Sequence, residues 1–133
     1  MKRTLLILFL IGVLSGCSDS DDTSLIEENI EESNSKEKGI FVSGAHTTTG
    51  SVSVNGSETI LSFTNFKTDN GPKLLVYLTV KVGSSDFVSL GDLKGISGNF
   101  TYNIPDNTDL TKYHIVDIWC IDASVSFGHA NLK

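Results

Sequence analysis

The chain has 133 residues, with 16 acidic side chains against 10 basic ones and a net charge of −6. No basic patch interrupts that balance, which excludes nucleic acid as a natural partner. The part that folds is long enough for one hydrophobic core and no more.

Residues 1–16 have the layout of a signal peptide. Lys2 and Arg3 form the charged start, and Leu5 to Leu14 form an apolar run too short to span a bilayer. Leu14-Ser15-Gly16-Cys17 follows and resembles the lipobox of bacterial lipoproteins. The resemblance implies that Cys17 is acylated (palmitate among the chains) and becomes the mature N-terminus. Several acyl chains hold a protein on a membrane, because each buried CH₂ is worth about 0.8 kcal/mol. Ser18 in the next position resembles the sorting signal for the outer membrane. The acidic run from Ser18 to Asp22 resembles a surface-export tag, or serves as a solvated spacer. The expected location is the cell envelope, on the outer membrane.

Removing Lys2 and Arg3 leaves eight lysines against sixteen acids, a net charge of −8. Residues 17–38 carry most of it. They are polar, acidic and free of aromatics, so they bury too little to offset the entropy of ordering. They read as a disordered tether, with room for a short helix through Leu25, Ile26 and Ile30.

Residues 39–133 read as β throughout. Ile40 to Ser43 forms a first strand. Ser51 to Val54 and Thr59 to Phe63 alternate on either side of Asn55-Gly56, which predicts a hairpin with a type I′ turn. Phe66 to Pro72 is a loop by composition. Leu74 to Val80 is nearly continuous apolar, hence a buried strand. Phe87 to Leu93 is ambiguous. Phe100 to Ile104 alternates and stops at Pro105, and Asp106 to Leu110 has room for one helical turn. Turn signals recur every 8–12 residues without a sustained helical period. The fold class is all-β, a single antiparallel sandwich or barrel-like domain.

Tyr113 to Leu132 has the highest apolar density and reads as a central strand. Parity puts Ile115, Trp119, Val125 and Phe127 on one face, with Asp117 interrupting. Val116, Ile118 and Cys120 lie on the other. Apolar residues on both faces predict that both are covered, and that Cys120 stands where buried meets exposed.

Cys120 has no partner once Cys17 is acylated. Its readings are a packed small hydrophobe, a reactive thiol, or a metal or haem ligand assisted by His46, His114 or His129. No local spacing joins these residues into a metal motif. Asp117 and Asp122 flank the cysteine and disfavour a thiolate. Asp69, in a Gly/Pro loop, reads as a turn former.

Several motifs occur in order: Phe41-Val42-Ser43-Gly44-Ala45-His46, Asp69-Asn70-Gly71-Pro72, Val76-Tyr77-Leu78, Leu90 to Gly95, Trp119-Cys120, and Phe127-Gly128-His129-Ala130-Asn131-Leu132. Over residues 39–132 they resemble the DM13 domain, found in bacterial lipoproteins and beside DOMON domains in animal cell-surface proteins. The resemblance implies an all-β fold with Cys120 as the redox residue, either as a naked thiol or as the ligand of a prosthetic group such as haem. His46 falls where the family also has histidine. Trp119 and His129 are supporting candidates. The residue after Gly71-Pro72, often acidic in the family, is Lys73 here. The functional expectation is electron transfer or thiol redox at a membrane-anchored domain, with an unknown redox or protein partner. The alternative is a non-enzymatic binding or adhesion module in which Cys120 is only packed.

Overall fold

A computed structural model describes residues 35–133. The expected signal peptide, Cys17 and most of the expected tether lie outside the described residues. Eight strands follow one another: β1 (Ser35–Ser43), β2 (Thr49–Asn55), β3 (Ile60–Lys67), β4 (Leu74–Thr79), β5 (Phe87–Asp92), β6 (Ser97–Asn103), β7 (Ile115–Cys120) and β8 (Val125–Asn131). Among the described residues there is no helix. The strands form one sheet in the order β5-β4-β7-β8-β1-β2-β3-β6. Every neighbouring pair is antiparallel.

Alternation explains the curvature. Val52 and Val54 on β2, and Leu61 and Phe63 on β3, are buried, whereas Ser53 and Ser62 between them are only half-buried. The inward side chains of seven strands meet in one cluster, and Val88 and Leu90 of β5 pack against it. A single sheet whose strands all share one core must curl on itself, so the architecture is barrel-like rather than two stacked sheets. The edge strands β5 and β6 are joined by residues 93–96. Tyr102 of β6 bridges them: its hydroxyl donates to the Asp92 carbonyl at 3.0 Å and accepts from the Lys94 amide at 2.7 Å.

A bulge in β3 lets Phe63 and Phe66 both point inward, although three positions separate them. Asn65 takes the left-handed conformation there, φ 51°. The Asn99 side chain accepts its amide hydrogen at 2.7 Å.

Several boundaries differ from the sequence expectation. β1 starts at Ser35, so residues 35–38, assigned to the tether, pair with β2. The Asn55-Gly56 hairpin is real, but its turn is not type I′, which would need positive φ at both central residues. Instead the Asn55 side chain accepts from the amides of Thr59 and Ile60, and Glu58 takes the left-handed position at φ 59°. Phe87–Asp92 is a strand. The segment before β7 forms no helix; it is a turn closed by a bond from the Tyr113 amide to the Asp109 carbonyl.

The largest correction concerns residues 113–132. They are two strands, β7 and β8, reversed by a turn at residues 121–124. Ser124 adopts φ 54° in that turn. The pair does lie in the interior of the sheet, as expected for a central element. The reversal changes the parity beyond Cys120, so Val125 pairs directly with Cys120 and shares its face.

Candidate functional site

Cys120 ends β7, opposite Leu74 of β4 and Val125 of β8. Its side chain points inward with Val116 and Ile118, away from Trp119, as parity predicted. Its exposure was not as predicted, because Cys120 is 0% exposed and belongs to the core. The reason is the hairpin: β8 folds back alongside it instead of running on into solvent. Asp117, on the opposite face, does not flank the thiol, and Asp122 is exposed in the turn.

Leu74 connects the cysteine to the surface. It lines a groove of about 420 Å³ between residues 70–74 and residues 92–96. A residue directly opposite on an antiparallel neighbour has its Cβ about 4.5–5.5 Å away. Cys120 therefore stands directly beside a residue that lines this groove.

Phe127 organises the adjoining end of the barrel. Ile118 pairs with Gly128 and Trp119 with Ser126, so Phe127 is the extra residue of a bulge. The bulge frees the Phe127 carbonyl from the ladder. It accepts three bonds instead: from the Gly44 amide at 2.9 Å, the His46 amide at 3.3 Å and the Thr48 hydroxyl at 2.9 Å. Thr48 also shares a hydrogen bond with Thr68 at 2.9 Å. Both threonines are buried, and each finds its partners, as buried hydroxyls must. Gly128 leaves room for Thr48, since a Cβ there would lie 2.4 Å from the Thr48 Cβ.

The His46 ring lies against Phe127, centroids 3.9 Å apart. Its Nδ1 is 2.9 Å from an Asp69 carboxylate oxygen. Asp69 thus does more than form a turn: it orients the ring. The structure brings together His46, Asp69, Thr48 and Phe127.

It does not bring the other candidates to them. Trp119 and His129 lie on the outer face of the sheet. His129 pairs with Asp117 on one side and Val42 on the other. His114 sits against the Lys112 carbonyl. Among the described residues no group of three or more His, Cys, Asp or Glu side chains is placed to hold a metal ion.

Haem fits poorly on Cys120. An axial ligand must face a slot that admits the macrocycle. Cys120 is closed in by core side chains and lines neither the groove beside Leu74 nor the clefts on the outer face.

The buried polar residues Thr48, Thr68 and Asp117 escaped the sequence reading as site residues. The only hint was Asp117 interrupting an apolar face. Asp117 is 1% exposed. Burial pushes its carboxyl above the usual carboxylate range, against the Ser126 hydroxyl, the Gly83 amide and His129, which favour the charged form. The folded state therefore holds this proton more tightly than the unfolded chain. Its contribution to stability falls as pH rises from the ordinary carboxylate range through the raised value. Asp117→Asn keeps an acceptor for Ser126 and removes this fall. In urea titrations from acid to mildly alkaline pH, the variant gains on the native chain as pH rises. A difference independent of pH would refute this.

A family model described as Electron transfer DM13 matches residues 40–132. No curated protein and no solved structure matches the chain significantly. The match covers nearly all of the β domain, and the chain belongs to the DM13 family.

Proposed function

We propose that this DM13 protein is a lipid-anchored envelope protein in which Cys120 is the redox residue, masked in the barrel-like core and reached through the groove beside Leu74. The family is an electron-transfer family, and Cys120 is the one free cysteine among the described residues. The observation that carries the reading is the direct pairing of Cys120 with Leu74, which lines the groove. The anchor rests on Cys17 and the small residues before it. With Cys17 acylated, no second cysteine is left to resolve a disulfide. Two-electron chemistry then runs through a mixed disulfide: the Cys120 thiolate attacks an external disulfide, its new S–S bond forms as the partner's breaks, and the partner's second sulfur leaves as a thiolate.

The test has two arms. In a Gram-negative host, the full chain fractionates with membranes and Cys17→Ala leaves it soluble; an unchanged distribution defeats the anchor. For the thiol, residues 18–133 are treated with a small methanethiosulfonate reagent under native conditions. Cys120 is expected to label faster than the barrel unfolds globally, and Leu74→Ala is expected to speed this about tenfold by lowering a local opening energy by about 1.4 kcal/mol. Labelling that tracks global unfolding in both proteins defeats the thiol reading.

One observation favours a second reading, a binding module with a packed cysteine: Cys120 is wholly buried within the apolar core. On that reading Cys120→Ala and Cys120→Ser alter stability alone. Serine destabilises at least as much as alanine, because an unpaired buried hydroxyl costs about 1–3 kcal/mol.

A further inference from the structure

The outer face of the sheet carries a second pocket, on the side away from the core cysteine. It measures about 300 Å³ and is lined by Tyr77, Phe87, Asp117, Trp119 and the loop Gly83-Ser84-Ser85. That volume is at the small end of ligand sites.

Tyr77 and Phe87 stack at 3.9 Å with 17° between their planes, making one continuous wall. Trp119 forms another, with Gly83 beside its ring: a Cβ on Gly83 would lie 4.0 Å from Trp119 Cζ3. Gly83 has φ 78°, a conformation that suits glycine. The loop is pinned. The Thr79 hydroxyl donates to the Lys81 carbonyl at 2.8 Å, and the Ser84 amide donates to the same carbonyl at 3.1 Å.

Asp117 belongs to this pocket and is the reason to assign it a ligand. Its cross-strand neighbours are Tyr77 and His129. Its direct side-chain partner is the Ser126 hydroxyl, a neutral donor. Among the described residues, no ion pair includes Asp117. His129 favours the charged form but is a cation only when protonated, and neither Lys nor Arg among the described residues pairs with Asp117; a buried carboxylate so placed is expensive to keep charged.

We propose that this pocket binds a small organic cation, an alkylammonium group whose charge meets Asp117 and whose carbons lie against Tyr77, Phe87 and Trp119. A neutral or anionic ligand of the same shape leaves the carboxylate uncompensated, so the pocket discriminates by charge.

The experiment titrates the protein of residues 18–133 with n-butylammonium, n-butanol and butyrate at matched ionic strength. Amide and indole NMR shifts are followed, together with Trp119 fluorescence. Butylammonium is expected to give saturable shifts at Gly83, Asp117 and the Trp119 indole, and to bind at least about tenfold more tightly than butanol. Asp117→Asn, whose folding is checked by its amide spectrum, is expected to abolish that preference. Four outcomes each overturn the proposal: no saturable shift with butylammonium, equal binding of butanol, tighter binding of butyrate, or a preference that survives Asp117→Asn.

Discussion

Gly128→Ala should be among the most damaging single-methyl changes in the described residues. The new Cβ would stand 2.4 Å from the Thr48 Cβ, 2.5 Å from its Oγ1 and 2.8 Å from its Cγ2. The Thr48 side chain is 1% exposed and cannot swing away. Its backbone is held as well, because its amide donates to Ser43 Oγ at 3.0 Å, while its hydroxyl holds the Phe127 carbonyl and Thr68. Overpacking costs about 1–3 kcal/mol, and each buried hydrogen bond broken adds about 1–3 kcal/mol more, so a total of about 3–5 kcal/mol is expected. For a domain this size that lowers Tm by about 15–30 °C. Gly95→Ala is the control. A Cβ there meets nothing closer than 3.8 Å, and the change should stay within about 0.5 kcal/mol.

A double-mutant cycle isolates the clash from any general intolerance of β8. Thr48→Gly removes all three atoms that the methyl introduced by Gly128→Ala would strike, at the expense of the Thr48 hydroxyl's hydrogen bonds. In that background Gly128→Ala should cost at least about 1–2 kcal/mol less than in the native chain. Equal costs in the two backgrounds would mean that the strap from Gly44 to Thr48 does not seat on Gly128. The result bears on function too, because this seat places His46 on Phe127 and closes the barrel end near Leu74.

How far the sequence reached can be judged residue by residue. Period-two alternation exposed β2 and β3, and a continuous apolar run exposed β4, because a strand's burial is written directly into its own residues. The opposite directions of Cys120 and Trp119 followed from the same rule. The turn at residues 121–124 did not show. It holds no glycine or proline, and it opens with Ile121, an apolar residue 41% exposed. Reversal there depends on Ser124 entering the left-handed region, which composition does not signal. The Phe127 bulge was hidden for a related reason: an extra residue is defined only by the partner strand it fails to match. The His46–Asp69 pair spans 23 positions and depends on two loops meeting. The family motif marked His46, Asp69 and Phe127 without showing that they touch one another.

Phe63→Ala should approach Gly128→Ala in effect, by the opposite mechanism. Phe63 is 1% exposed. Its ring meets four others, at centroid distances of 4.9 Å to Phe100, 5.1 Å to Phe66, 5.4 Å to Tyr102 and 5.5 Å to Phe41. These partners come from β6, β3 and β1, so the ring ties an edge strand to the interior of the sheet. Truncation to alanine removes the buried area and leaves a cavity, costing about 3–5 kcal/mol. Phe63→Leu keeps much of the volume and loses the ring contacts, each worth about 0.5–1.5 kcal/mol, so it should cost about 1–3 kcal/mol. Chemical denaturation of the three proteins gives both values. The two effects should also differ in place. With Phe63→Ala, hydrogen exchange at β6 amides should quicken beyond the global change, because β6 is an edge strand whose backbone ladder runs only to β3. If alanine and leucine cost the same, the stacking contributes nothing beyond one Leu-sized volume. If β6 exchanges only with the whole barrel, Phe63 is a core residue without a local role in closing it.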